Sequence, residues 1–157
     1  VKQMKIRIEV DTKTNETEVI IRCSEVNNKI LKLESRLSQL ITPKTQIIFY
    51  KNEQEYYISP SDILFFETNT NGVTAHTVNE IYDVKFKLYE LEKILPDAFV
   101  RVSKSTIANS NKVYSILRNI TSASRVEFLN THKKIYVSRK YYKELRAKLL
   151  EKRNRYE

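Results

Sequence analysis

Phe99-Val100-Arg101-Val102-Ser103-Lys104-Ser105-Thr106-Ile107-Ala108-Asn109 is the stretch whose reading decides the fold. Phe99, Val102 and Ile107 are spaced to enter a core. Arg101, Ser103, Lys104, Ser105 and Asn109 are donors set between them. Ser103-Lys104-Ser105 is the polar centre and reads as a turn or a strand end. A basic side chain between two hydroxyls suits phosphate oxygens and base edges. The plain alternative is a strand with a solvated turn, because polar loop signals are common.

Three further blocks lie around this stretch. Asp62-Ile63-Leu64-Phe65-Phe66-Glu67 and Lys87-Leu88-Tyr89-Glu90-Leu91-Glu92-Lys93-Ile94-Leu95-Pro96 precede it, and Val137-Ser138-Arg139-Lys140-Tyr141 follows. Together with Arg101–Asn109, these blocks resemble, in order, the signatures of LytTR-type DNA-binding domains. The resemblance spans roughly residues 46–150, and four ordered blocks weigh more than one motif.

Charge points the same way. The chain of 157 residues carries +9. Residues 1–45 hold +3, residues 46–100 hold −5 and residues 101–157 hold +11. A basic C-terminal third suggests a polyanion partner; a solubilising surface is the bland reading. The length suits one domain with a short extension, and 41% hydrophobic residues suit a folded chain. No apolar run approaches membrane-spanning length and no signal peptide is visible. Cys23, the single cysteine, cannot close an internal disulfide. That fits a reducing cytoplasm, and its apolar strand-like setting reads as a small core residue.

Periodicity predicts an N-terminal β-β-α element over 1–44. Met4, Ile6, Ile8 and Val10 alternate with Lys5, Arg7 and Glu9, and a second apolar run, 19–23, completes a hairpin. Ser24 is expected to cap a helix to about Ile41, with a heptad-like seam of Val26, Ile30, Leu33, Leu37 and Leu40. The seam reads as packing on its own hairpin, with part of the face free for a second copy. Thr42-Pro43-Lys44 marks the boundary. From 45 to 157 the pattern is mainly β. Short strands are expected at 47–50, 56–58, 63–67, 73–77, 81–84, 99–102, 106–108, 113–117, 126–129 and 135–137. A short helix covers about 86–95. Ser138 is expected to cap a last helix from Arg139 to about Lys152, with Tyr142, Leu145 and Leu149 inward. The expectation is α+β overall: a LytTR-like β-strand domain with short helices and a C-terminal helix.

Several chemistries are excluded or disfavoured. One glycine, Gly72, rules out a Gly-rich phosphate loop. His76, His132 and Cys23 lack metal-ligand spacing, so no metal and no cofactor is expected. Glu90 and Glu92 read as a solvated helix face. No catalytic constellation can be assembled, so an enzyme is not expected. Tyr56, Tyr57 and Tyr82 could stack single-stranded bases, but strand packing is the simpler role. A helix-turn-helix is disfavoured, because no two adjacent helices share a short turn.

The DNA-binding reading names three loops. Thr68–Gly72 carries Asn71, whose amide suits an adenine edge or a phosphate, on an expected type I′ turn at Asn71-Gly72. Ser103-Lys104-Ser105 is the second; its lysine cannot make arginine's two-pronged contact to guanine but still donates to it. Ser138-Arg139 is the third, a helix start where a bound phosphate would offset a misplaced cation. The resemblance implies that such loops enter successive major grooves. It carries base reading to Asn71, Lys104 and Arg139, and phosphate contact or loop support to Ser103, Ser105, Asn109 and Lys140. It implies a bacterial transcription regulator of specific double-stranded DNA. Many such regulators carry a receiver domain, but the about 45 residues before the resembling region are too few for one. A stand-alone regulator is therefore expected, of the kind often encoded beside a small membrane protein. Self-association on paired half-sites is expected of the N-terminal element. The rival is a protein-interaction module whose basic face binds an acidic partner.

Overall fold

The computed structural model describes residues 3–41 and 46–154. The chain divides into two units, residues 1–43 and 44–157. In the first, helix α1 spans Asn28–Ile41. Its start is capped by Asn27, whose Oδ1 accepts from the backbone N–H of Lys29 and Ile30 at 3.1 Å each. Asparagine is among the best residues for that position, and the expected cap at Ser24 is not used. The expected β-β-α element is corrected here to a helix preceded by chain without ladders. Residues 4–10 and 19–23 form no strands, and Ile6, Ile8 and Val10 are 93%, 86% and 86% exposed. A lone two-stranded hairpin is marginal in water, and alternation makes a strand only where one face has something to cover it. Along the seam, Ile30, Leu33 and Leu37 are half-buried, while Val26 and Leu40 are exposed. Cys23 is exposed too, not a core residue. The expected boundary at Thr42-Pro43-Lys44 lies outside the described residues.

The second unit follows the expected rhythm closely. Its strands are β1 (Phe49–Lys51), β2 (Gln54–Tyr56), β3 (Phe65–Asn69), β4 (Gly72–His76), β5 (Ile81–Val84), β6 (Phe99–Ser103), β7 (Thr106–Asn109), β8 (Val113–Leu117), β9 (Ser124–Phe128) and β10 (Lys134–Val137). Helix α2 spans Leu88–Ile94 and α3 spans Arg139–Asn154. Single 3-10 turns at Pro60–Asp62 and Ser110–Lys112 escaped the periodicity, which cannot register three residues. Strands one to seven form an antiparallel sheet in the order β2-β1-β5-β4-β3-β7-β6, and β10-β9-β8 form a second.

The large sheet has a core on each face. Phe49, Phe66, Ala75 and Ile107 pack with Leu88 and Leu91 of α2 on one side. Phe65, Val102 and Ala108 pack with Val126, Phe128, Ile135, Val137 and Leu145 on the other, joining the small sheet and α3. Successive residues of β3, Phe65 and Phe66, thus enter opposite cores, as the two-residue period of a strand requires. Each fully buried large side chain contributes about 1.5–3 kcal/mol. Tyr56 and Tyr82 pack against the first core, as strand packing rather than base stacking would have it.

Candidate nucleic-acid interface

Strand pairing decides where the three named loops lie. β3 pairs antiparallel with β7, matching Glu67 with Thr106, so the end of β3 meets the start of β7. The β3–β4 turn and the β6–β7 turn therefore emerge side by side. Thr68 joins them: its N–H donates to the Ser105 carbonyl at 2.9 Å. The third loop is tied to the same place, because the Ser138 N–H donates to the Val102 carbonyl at 2.9 Å. Three segments far apart in sequence thus converge at one end of the large sheet.

The β3–β4 turn is not the expected type I′. That type needs positive φ at both central residues. Asn69 pairs with Gly72, so Thr70 and Asn71 are central, and neither has a positive φ. Gly72 takes it instead, at 132°. The Asn69 side chain accepts from the Asn71 N–H at 2.9 Å, which fixes the tip and leaves Asn71 exposed. Asn71 also walls a shallow cleft of about 420 Å³ with Tyr50, Lys85 and Lys87. The type I′ geometry occurs elsewhere, at Asn52-Glu53 between β1 and β2, with φ of 50° and 65°.

The β6–β7 turn is braced from within. Ser103 Oγ accepts from the Ser105 N–H at 3.2 Å. Arg101, half-buried, donates through Nε to the Ser103 carbonyl at 2.8 Å and through Nη2 to the Lys104 carbonyl. Its Nη1 donates to Glu92 Oε1 at 3.1 Å. All three nitrogens of the guanidinium thus hold the turn or anchor it to α2, and Lys104 projects exposed from its tip. Glu92 serves this brace, and Glu90 Oε2 accepts from the Lys87 N–H at 2.8 Å to close the start of α2. Neither glutamate is an idle member of a solvated face.

At the third loop, Arg139 and Lys140 are exposed in the first turn of α3. Lys140 Nζ lies 5.5 Å from the Tyr141 ring centroid. Ser138 does not cap through its side chain: its buried Oγ has no partner. Its carbonyl accepts from Tyr141 and Tyr142 at 3.1 Å, as the first helical turn requires. Lys104, Arg139 and Lys140 make no ion pair among the described residues. Asn109 is different in kind. It is 2% exposed, donates from Nδ2 to the Ile63 carbonyl at 2.9 Å, and accepts on Oδ1 from the Asn111 N–H at 3.1 Å. Both ends of its amide serve the protein, so it supports the scaffold.

One buried polar group stands behind the β3–β4 turn. His76 stacks on Phe65, with centroids 4.3 Å apart. Its Nε2 lies 3.0 Å from Glu67 Oε1 and 3.3 Å from Thr74 Oγ1. Burial, helped by the nearby Lys133 ammonium, holds the His76 pKa down to about 4. The ring is neutral at pH 7, with the proton assigned to Nε2 because Glu67 offers the acceptor. Burial pushes Glu67 up, against the opposing pull of Lys133.

Sequence reasoning named the exposed members of these loops and missed those that join them, Thr68 and Arg101 as brace. Thr68 becomes visible only once β3 is known to lie beside β7. Among the described residues no group of His, Cys, Asp and Glu fits a metal ion, and no helix is long and apolar enough to cross a membrane.

Comparison with known proteins bears on what such an end does. The family model of the LytTr DNA-binding domain matches residues 53–150. An uncharacterized HTH-type transcriptional regulator of Staphylococcus aureus strain MSSA476 is 30% identical over 93% of this chain and 98% of its own. A counterpart in strain NCTC 8325 is 29% identical over the same shares. A solved LytTr DNA-binding domain from Bacillus cereus superposes with a TM-score of 0.61 at 21% identity. It covers 67% of this chain and 97% of that one.

Proposed function

Because the chain belongs to the LytTr DNA-binding domain family, a family of transcriptional regulators that bind double-stranded DNA, we propose that it reads its operator with the three converged loops. In this reading Asn71, Lys104 and Arg139 enter the major groove and meet base edges. Ser103, Ser105 and Lys140 contact phosphates around them, and Asn109 holds the strand from which the second loop springs. The observation that carries the proposal is the joining of the three loops by the Thr68–Ser105 and Ser138–Val102 hydrogen bonds. Such ties hold readers at fixed spacing, and direct readout needs donors held in register with the bases. Cations at the tips that make no ion pair among the described residues support the same reading, since a lysine or arginine already paired would have to be released first.

The finer proposals follow from this one. DNA as partner supports a cytoplasmic location. The N-terminal unit brings two copies together on paired half-sites. A small membrane protein is the proposed regulatory partner, which co-purification from membranes would test. The central reading is tested by selecting bound duplexes from a random pool. Enrichment of a repeated motif supports it. Duplex binding without any enriched motif would instead favour a basic face that meets acidic proteins.

A further inference from the structure

The segment before α1 carries a charge order that is complementary to itself. Lys5, Arg7, Glu9 and Asp11 occupy alternate positions and read plus, plus, minus, minus. Met4 precedes them, Ile6, Ile8 and Val10 lie between them, and the four are 49%, 93%, 86% and 86% exposed. Alternation of this kind makes one face apolar and one charged in an extended chain. Yet the segment has no ladder partner among the described residues of its own chain, and Asp11 ends it by accepting from the Lys13 N–H at 2.9 Å in a turn.

We propose that residues 5–11 pair antiparallel with the same residues of a second copy, about a two-fold axis at Ile8. This deepens the self-association put forward above and rests on it. The register sets Lys5 against Asp11, Ile6 against Val10, Arg7 against Glu9 and Ile8 against Ile8. Every directly opposed charged pair is of opposite sign, and such pairs stabilise a ladder, whereas like charges oppose it. A parallel arrangement in register would place each charge on its own kind. An antiparallel axis at Arg7 would set Arg7 against Arg7. The charges therefore select both the direction and the register. In the free chain Arg7 pairs with Glu9 two residues on; in the ribbon the same glutamate type is supplied across the strand. The apolar side chains all fall on one face, and the closed two-fold contact is isologous, so it ends at two copies. Two helices come with the two strands, each with the half-buried stripe Ile30, Leu33 and Leu37 to cover that face.

The test uses the full chain without DNA, so it stands apart from the reading of DNA. Glu9→Lys with Asp11→Lys makes the segment all positive; Lys5→Glu with Arg7→Glu makes it all negative. Sedimentation should find each variant monomeric at concentrations where the parent is a dimer, and a mixture of the two should restore a heterodimer. In a Cys23→Ser background, Ile8→Cys should form a disulfide-linked dimer on oxidation and Arg7→Cys should not. Dimers that persist in either charge variant, or cross-linking at position 7 in place of 8, would overturn the proposal. Binding of a single half-site should be equal in all variants. If none binds DNA, including the parent, the DNA reading fails and the pairing result still stands.

Discussion

Lys104 and Arg139 stand at tips held by other residues, and neither contributes to a core. Their truncation should therefore separate reading from stability. Lys104→Ala and Arg139→Ala should each leave the melting temperature nearly unchanged while costing about 1–3 kcal/mol of preference for the cognate base pair. Cognate and scrambled duplexes at one fixed salt concentration give that difference; equal weakening on both would make the residue a phosphate anchor. His76 belongs to the opposite class, buried within the fold. An unfolded histidine takes a proton below its ordinary 6.5, whereas His76 in the fold waits until about 4. Between those values the unfolded chain binds the extra proton, so stability falls on acidification through that window and levels off below it. The shift corresponds to at most about 3 kcal/mol. Glu67, pushed up by burial, acts with the opposite sign and reduces the loss. The melting temperature should drop between pH 7 and pH 5, and His76→Gln should flatten that drop.

Among the elements, the β6–β7 turn shows how a scaffold fixes the place of an exposed lysine, the reader proposed above. Arg101 spends its donors on the Ser103 and Lys104 carbonyls and on Glu92. Arg101→Ala should cost about 1–3 kcal/mol of stability, the range for losing charge-assisted hydrogen bonds. In the reading proposed above it should also blur the base preference carried by Lys104, although Arg101 is not among the proposed readers. A variant that keeps full discrimination would show that the turn holds without its brace. Most strands and both helices of the second unit were legible in the sequence, because apolar period and polar turns agree there. The N-terminal hairpin was not, since alternation reports what a segment could bury and says nothing of whether its own chain supplies the cover. The caps slipped for a related reason. Ser24 and Ser138 are good cap residues by type, but Asn27 caps α1, and Ser138 serves the start of α3 through its backbone carbonyl and not its hydroxyl. Asn109, expected to contact phosphate or support the loop, has both ends of its amide bonded within the protein. The proposed readers were named from the order of motifs, whereas Thr68 and Arg101 needed the register of β3, β6 and β7.

For the whole molecule, the +11 of residues 101–157 against −5 of residues 46–100 gives the chain a marked polarity in sequence. Lys148, one of those cations, is already committed to Asp97 at 2.6 Å. It should add little to DNA affinity, and Lys148→Ala should barely alter the salt slope. Affinity for a duplex should fall steeply with salt, with a logarithmic slope of about −0.9 for each phosphate neutralised. A salt-independent affinity would remove the phosphate backbone from the account. The central claim is that three converged loops, and not a diffuse basic face, read the sequence. The most direct measurement repeats selection from a random duplex pool with the Asn71→Ala, Lys104→Ala, Arg139→Ala triple variant beside the parent. The parent should enrich one repeated motif, and the triple variant should still bind duplex but enrich none; recovery of the parent's motif by the triple variant would contradict the claim.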